Sequence, residues 1–273
     1  MITGEEVDAL VAAVDDESPL VESVTNTVTI ADVAAVIRQW GALPVMAADT
    51  REIDAMVAAA DGVHLNMGTV DVDGEAALVT AASAAQSQGI PSVFDPVGVG
   101  ATPTRTAVAT RIVEAAAPTI IKGNHAEVTA LAGADAEVRG VESVGRYADI
   151  TDTAQRCAEL MDAVVVASGA TDVVASADTV VTIEGGDPML GRVVGTGCML
   201  GATLAAFAPV APSPMEAAVA GTISFGQAAE RAMSGRFGPI AGPASFKIRF
   251  IDAVAGMREL SVGSLAERVT EVR

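Results

Sequence analysis

A short glycine loop in the C-terminal half of the chain carries the residues with the clearest potential for chemistry. It reads Gly195-Thr196-Gly197-Cys198, and the apolar run after it has helical spacing and ends before Pro209. Glycines let the backbone approach a ligand closely, the first N–H groups of a helix attract anions such as phosphate, and a thiolate is stabilised there. The loop therefore suits phosphoryl transfer. Taken alone, it is better explained as an ordinary turn with a buried cysteine, because short glycine motifs often match by chance.

Asp95 is a second candidate, because it ends the apolar strand predicted over Ser92–Asp95 and is followed by Pro96 and two further glycines. A carboxylate in this place could hold Mg²⁺ through water or shape a phosphate loop. It could equally accept N–H groups within its own turn. The two interpretations stay open on the residues alone.

The stretch from Lys122 to Glu127 combines a cation, a neutral acceptor and a carboxylate. Lys122 is one of two lysines in the chain and ends a predicted strand, where it could meet a phosphate. Asn124 and Glu127 are three residues apart, so they share one face of a new helix and could hold Mg²⁺-bound water. The same spacing is that of a capping box, which needs no ligand, and the two interpretations are compatible.

The remaining polar residues point less clearly to chemistry. Ser168 ends another predicted strand and could bond a phosphate or a ribose, although a plain strand-end turn explains it without further support. His64, His125 and Cys157 are interpreted as structural residues. The chain lacks a Walker loop, a Gly-x-Gly-x-x-Gly motif, a Cys-x-x-Cys pair and a recognisable Ser–His–Asp order. A hydrolase and a structural zinc site are therefore not supported.

Composition narrows the class of protein further. The 273 residues are 51% hydrophobic but only 3% aromatic, and no apolar stretch is long enough for a membrane span. The acidic N-terminal segment is unlike a signal or transit peptide, so we expect a cytoplasmic protein. A net charge of −19 argues against nucleic acid and anionic membrane as partners. Acidic chains poor in lysine resemble proteins of salt-rich cytoplasms, which suggests a halophilic source.

Strand and helix patterns alternate over most of the chain. This alternation predicts an α/β fold with a mainly parallel sheet covered by helices on both faces, in one domain over residues 1–273. Ligands of such sheets bind beyond the carboxyl ends of the strands. We therefore expect one sheet edge to gather the polar residues at predicted strand ends, namely Asn26, Asn66, Asp95, Lys122 and Ser168. Asp49-Thr50 is predicted to cap a helix over Arg51–Ala60, a helix starts at Cys198, and Gly133–Ala148 is expected to be irregular.

Taken together, the motifs resemble those of the hydroxyethylthiazole kinase family, which has the ribokinase-like three-layer α/β/α fold, along nearly the whole chain. The cysteine of the glycine loop is the most discriminating match, because most ribokinase-like enzymes resemble one another in having aspartate there. The matching stretches are Val24–Thr29, Gly41–Ala47, Leu65–Thr69, Asp95–Thr102, Gly123–Glu127, Gly195–Leu200 and Gly238–Phe246.

The resemblance implies ATP-dependent phosphorylation of 4-methyl-5-(2-hydroxyethyl)thiazole, a step of thiamine salvage, with Mg²⁺ as cofactor. By position it implies that the thiazole is bound by Met46 and Gly195, with Asn26 and Gly68 lining its pocket. It implies that ATP is bound by Lys122, Ser168 and Gly197, that Asp95 and Glu127 form the metal and water shell, and that Cys198 is the catalytic residue. The family is similar in being a homotrimer with active sites near its subunit interfaces.

The chain departs from the family pattern at several positions. Lys122 stands where arginine is frequent, which keeps the charge but loses the bidentate fork. Ser168, Ala35 and Leu43 stand where threonine, asparagine and serine are common. The alternatives are a related kinase of pyridoxal or hydroxymethylpyrimidine, a lyase that dehydrates hydrated NAD(P)H, and a silent nucleotide-binding protein. Whether Cys198 removes the hydroxyl proton or orients the hydroxyl stays open.

Overall fold

A mixed α/β architecture is seen in the computed structural model, which describes residues 2–133, 138–139, 142–143, 150–259, 261, 263 and 268–272. The helices are α1 (Gly4–Glu17), α2 (Ile30–Gln39), α3 (Ile53–Ala59), α4 (Val72–Gln88), α5 (Pro103–Ala116), α6 (His125–Leu131), α7 (Ile150–Met161), α8 (Thr196–Phe207), α9 (Pro214–Met233) and α10 (Pro243–Ala255). The strands are β1 (Leu20–Val24), β2 (Leu43–Val45), β3 (Gly62–Asn66), β4 (Ser92–Asp95), β5 (Ile120–Asn124), β6 (Val138–Arg139), β7 (Glu142–Ser143), β8 (Val164–Ser168), β9 (Thr171–Ala175), β10 (Val180–Glu184) and β11 (Val269–Glu271).

The main sheet of the described residues has nine strands in the order β11-β10-β9-β8-β5-β4-β3-β1-β2. Strands β2, β1, β3, β4, β5 and β8 pair in parallel, whereas β9, β10 and β11 continue the sheet antiparallel. The predicted mainly parallel sheet is confirmed. The parallel strands place their carboxyl ends along one edge, which is where ligands bind in such sheets.

Each face of the sheet is covered by its own layer of helices. Along β8 the side chains alternate, so that Val164 and Val166 join one core and Val165 and Ala167 join the other. Helices α1, α2, α8, α9 and α10 pack on the first face, and α3 to α7 pack on the second. The predicted cover of helices on both faces is confirmed, and with it the three-layer sandwich that the family resemblance implies.

Two local predictions differ from the structure. Helix α3 begins at Ile53 without a side-chain cap, because the Asp49 carboxylate binds the backbone N–H and the side chain of Arg51 instead. Of the irregular stretch expected over Gly133–Ala148, the described part includes the short β6–β7 pair, and the rest lies outside the described residues.

Candidate active site

The glycine loop turns into α8 at positions where a side chain has no room. Gly195 is the N-cap of α8 with a φ of 96°, and a Cβ on it would lie 2.6 Å from the Thr29 methyl carbon. A Cβ on Gly197 would lie 3.0 Å from Lys122 Nζ. The first intrahelical bond runs from Met199 N to Gly195 O, so the first-turn N–H groups before it are available to an anion. The predicted glycine loop at a helix start is confirmed.

A buried ion pair lies beneath this loop. Lys122 Nζ is 3.5 Å from Asp95 Oδ1, and their side chains are 5% and 1% exposed. Burial opposes the charge on Lys122, but the neighbouring carboxylates of Asp95 and Glu127 outweigh burial and raise the pKa of Lys122. Lys122, on β5, is therefore protonated and buried, and its side chain does not extend into solvent. Burial raises the pKa of Asp95, which Lys122 and a 2.7 Å hydrogen bond from Asn66 Nδ2 partly offset.

Glu127 completes the buried charge cluster. Its Oε1 accepts the N–H of Gly98 and its Oε2 accepts the N–H of Asn124, both at 2.7 Å, while Asn124 Oδ1 accepts the N–H of Glu127. The capping box is thus confirmed and lies next to the charged cluster, while a role of Asn124 and Glu127 in holding Mg²⁺-bound water stays a prediction. Burial raises the pKa of Glu127 to about 7, with Lys122 opposing the shift.

The carboxylates of Asp95 and Glu127 suit a hard cation that is also coordinated by water or phosphate. Asp95 Oδ1 faces Lys122 at 3.5 Å and accepts no hydrogen bond from the described residues. It therefore has a lone pair free to coordinate a cation that prefers oxygen ligands. Within the described ranges, no three Asp, Glu, His or Cys side chains converge as a complete metal cage. Mg²⁺ is commonly held by one or two carboxylates together with water and phosphate, so the residues fit this ion.

An amide network joins the strand ends to Cys198. Asn26 Nδ2 lies 2.9 Å from Asn66 Oδ1, 2.8 Å from Thr29 Oγ1 and 3.4 Å from Cys198 Sγ. Gly68 N donates to Asn66 Oδ1 at 3.0 Å, and a Cβ on Gly68 would lie 2.8 Å from Asn26. The predicted convergence of strand-end residues is confirmed for this group.

The expected stabilisation of a Cys198 thiolate is wrong. Burial raises the pKa of Cys198, and the nearby Asp95 carboxylate raises it further. Lys122 and hydrogen bonds from Thr29 and Asn66 lower it only in part. Helix-terminus reasoning missed this because it left out the buried aspartate on the adjoining strand.

A cavity of about 450 Å³ opens beside the loop, between the end of β8 and α9. Its lining includes Ser168, Asp172, Thr196, Gly197 and Phe225. Ser168 Oγ donates to Gly123 O at 3.3 Å, and Asp172 Oδ1 accepts the N–H of Gly169. Ser168 and Gly197 therefore share one cavity. Met46 follows β2, half-buried against the core that Cys198 also touches. The binding roles of these residues stay predictions.

Two residues of the site escaped sequence reasoning. Thr29 fills the space left by Gly195 and accepts a bond from Asn26, although no sequence pattern assigns it a binding or catalytic role. Arg105 donates to the carbonyl oxygens of Met67, Gly68 and Val97 and so fixes two loops of the strand edge. A single sequence carries no signal for these contacts, since the partners are remote in the chain.

Comparison with known proteins yields one consistent family. The sequence model of the hydroxyethylthiazole kinase family matches residues 11–259. A hydroxyethylthiazole kinase of Natronomonas pharaonis is 55% identical over 91% of this chain and 90% of its own length. One of Haloquadratum walsbyi is 50% identical over 93% of this chain and 88% of its own length.

Solved structures give the same picture at the level of the fold. The structure of a hydroxyethylthiazole kinase protein from Pyrococcus horikoshii superposes with a TM-score of 0.85 at 29% identity, covering 98% of this chain and 100% of its own. A ribokinase-like superfamily protein from Enterococcus faecalis superposes with a TM-score of 0.64 at 12% identity, covering 94% and 95%. The expected ribokinase-like fold is confirmed.

Proposed function

Since this chain belongs to the hydroxyethylthiazole kinase family, we propose that it transfers the γ-phosphate of ATP to the hydroxyl of 4-methyl-5-(2-hydroxyethyl)thiazole, a thiamine-salvage step. The observation that carries the proposal is the position of Cys198, at the N-terminus of α8, near the buried Asp95–Lys122 pair, whose charges both act on its thiol. Such a site offers an anion cradle and a hydroxyl partner side by side.

Different residues of the chain bind the phosphoryl group, hold the metal ion and orient the hydroxyl during in-line transfer. First-turn N–H groups of α8 hold the transferred phosphoryl group, and the Lys122 charge beneath Gly197 adds to their field. Asp95 and Glu127 would hold Mg²⁺, which neutralises developing phosphate charge when bound. Cys198 is a protonated thiol at neutral pH, so it orients the substrate hydroxyl rather than removing its proton. In a loose transition state, positioning supplies most of the catalysis.

The two substrates take opposite sides of the loop in this proposal. ATP occupies the cavity beside Ser168 and Gly197, which is large enough for part of a nucleotide. The thiazole alcohol lies towards Asn26, Gly68, Gly195 and Met46, where the amide network places Cys198. The whole chain, residues 1–273, acts as one kinase domain.

Assembly as a cytoplasmic homotrimer with sites near the interfaces belongs to the same proposal. Among the described residues, three exposed apolar side chains are chain neighbours of residues at or near the loop. Val28 precedes Thr29 and is 65% exposed, Val194 precedes Gly195 and is 75% exposed, and Ile248 follows Lys247 and is 59% exposed. A subunit interface would cover such side chains. Among the described helices, none is long and apolar enough to cross a membrane. Light scattering behind size exclusion in high KCl should give three times the 27.4 kDa chain mass.

A substrate panel tests the function directly. The purified chain is assayed for ADP formation with MgATP and hydroxyethylthiazole, pyridoxal or hydroxymethylpyrimidine, across a KCl series. We expect kcat/KM to be highest for the thiazole alcohol. A preference for either other alcohol would replace the substrate, and nucleotide binding without turnover on all three would overturn the kinase assignment.

A further inference from the structure

Both lysines of this chain end beside the glycine loop. The sequence has 16 basic residues, and all except Lys122 and Lys247 are arginines. Lys122 lies beneath Gly197 and pairs with Asp95. Lys247, on α10, donates to Asp32 Oδ1 at 3.0 Å and Oδ2 at 3.1 Å. The second pair joins α10 to the first turn of α2, and the mechanism above gives it no role.

Asp32 places a carboxylate next to the anion cradle. Its Oδ2 lies 4.0 Å from the point where Gly195 would carry a Cβ. The side chain is 24% exposed, so solvent screens it only in part. An uncompensated negative charge at this distance would repel an incoming phosphate chain. The ammonium of Lys247, bonded to both oxygens, cancels that charge.

We propose that Lys247 is a charge-masking residue, which neutralises Asp32 so that the phosphate chain of ATP can enter the Gly195–Cys198 loop. The inference rests on the proposed function for the identity of the anion. Its chemistry is more general, because any phosphate group bound by the loop meets the same carboxylate. The pair acts on anion binding and touches no reacting atom, so its effect belongs in KM for MgATP rather than in kcat.

Charge masking by Lys247 and a purely structural tether between α2 and α10 predict different results for four variants. With masking, Lys247→Met raises KM for MgATP roughly three- to tenfold with kcat nearly unchanged. Asp32→Asn gives a KM equal to or below wild type, and the double variant returns to within about twofold of wild type. Lys247→Arg keeps the charge and therefore keeps KM. The differences shrink as KCl rises.

The measurements are steady-state KM and kcat, together with dissociation constants for MgATP and for tripolyphosphate. Arg258→Met is the matched control, because Arg258 forms a comparably exposed pair with Asp15 at 2.8 Å on elements away from the loop. Thermal unfolding followed by circular dichroism identifies any variant that does not fold. If Asp32→Asn weakens binding as much as Lys247→Met, or the double variant does not recover, the pair is a tether and the inference is wrong. Absence of ADP formation by the wild type instead overturns the proposed function, while the anion dissociation constants still decide the masking. A wild type that binds neither anion overturns both.

Discussion

At Cys198, burial and a neighbouring carboxylate both act against ionisation of the thiol. Both effects raise its pKa, so the side chain meets its surroundings as a neutral S–H group. A neutral thiol can hold a hydroxyl in place but is a poor base. This favours orientation over proton removal, the question that the sequence left open.

Replacing Cys198 should therefore affect turnover more than nucleotide binding. We expect Cys198→Ala to lower kcat roughly 10²-fold, as loss of positioning does, with KM for MgATP nearly unchanged. Cys198→Ser should keep part of the activity, since its hydroxyl can also hold the substrate. Steady-state kinetics checks both. Cys157→Ala is the control, because Cys157 is fully buried on α7 away from the site. A Cys198→Asp variant as active as wild type would favour the base role instead.

Glu22 makes a pH-dependent contribution to stability from the centre of β1. Its side chain is fully buried, and burial raises its pKa to about 7, with the nearby Glu52 charge adding to the shift and the Ala47 backbone opposing it. Between pH about 4.5 and 7 the unfolded chain has lost this proton while the folded chain retains it. The free energy of unfolding therefore falls as pH rises through this window, by at most about 1.4 kcal/mol per unit from this group.

The variant Glu22→Gln should remove that slope. Its free energy of unfolding should increase relative to that of the wild type between pH 4.5 and pH 7, and the difference should stay constant above pH 8. Urea titrations at fixed KCl over this pH range measure it. Because Glu127 contributes a slope of the same sign, the wild type and the variant must be compared at every pH. An identical pH dependence in both proteins would contradict the role assigned to Glu22.

At the scale of the element, α8 is held close to the sheet by a glycine facing a histidine. A Cβ on Gly201 would lie 2.9 Å from His64 Nε2 and 3.5 Å from Asp95 Oδ2. His64 is fully buried and its Nδ1 is hydrogen-bonded to Ser23 Oγ at 2.9 Å, so the ring cannot easily retreat. The contact sets how near the first turn of α8 comes to the strand edge.

Gly201→Ala should push α8 outward. We expect a loss of about 1–3 kcal/mol in the free energy of unfolding, as for other overpacked sites, and a fall in kcat because Cys198 moves away from Asn26. Gly242→Ala is the matched control, because a Cβ there would meet no atom within 4 Å. If the Gly201→Ala variant is destabilised but keeps its kcat, Gly201 serves packing alone and does not position Cys198.

The strand ends were predictable because parallel strands must place their carboxyl ends together, which brought Asn26, Asn66, Asp95 and Lys122 to one edge. The start of α3 was not predictable, because the Asp49 side chain binds the neighbouring Arg51 and does not cap the helix. Local patterns give the type of an element well. They do not decide between competing partners of one polar side chain.

At the scale of the whole molecule, the net charge of −19 should make folding depend on salt. Screening shortens the reach of charge repulsion from about 8 Å at 0.15 M to about 3 Å at 1 M salt. We expect the melting temperature to rise strongly between dilute buffer and molar KCl. The amide double variant Asp54→Asn/Glu114→Gln, at two exposed acids, should melt higher than wild type in dilute buffer but not in molar KCl. Equal melting temperatures across the salt series would contradict a halophilic adaptation.

Long-range pairs mark the limit of prediction from one sequence. Asp32 and Lys247 are 215 residues apart, and nothing in either local pattern indicates that they meet. The fold, the glycine loop and the residues of the strand edge follow from periodicity and resemblance. Charge compensation across helices follows only from how α2 and α10 pack.

The amide of Asn26 has one fewer hydrogen than its neighbours require. Its Oδ1 accepts the N–H groups of Val28 and Thr29, which fixes the orientation of the amide. Nδ2 then has two hydrogens for three acceptors, of which Cys198 Sγ is the most distant and the weakest. The two oxygens therefore hold the Asn26 hydrogens, and the sulfur, which Thr29 and Asn66 also contact, receives the weakest of the three bonds. In the proposed reaction, a substrate hydroxyl that donates to this sulfur would displace only this weak contact.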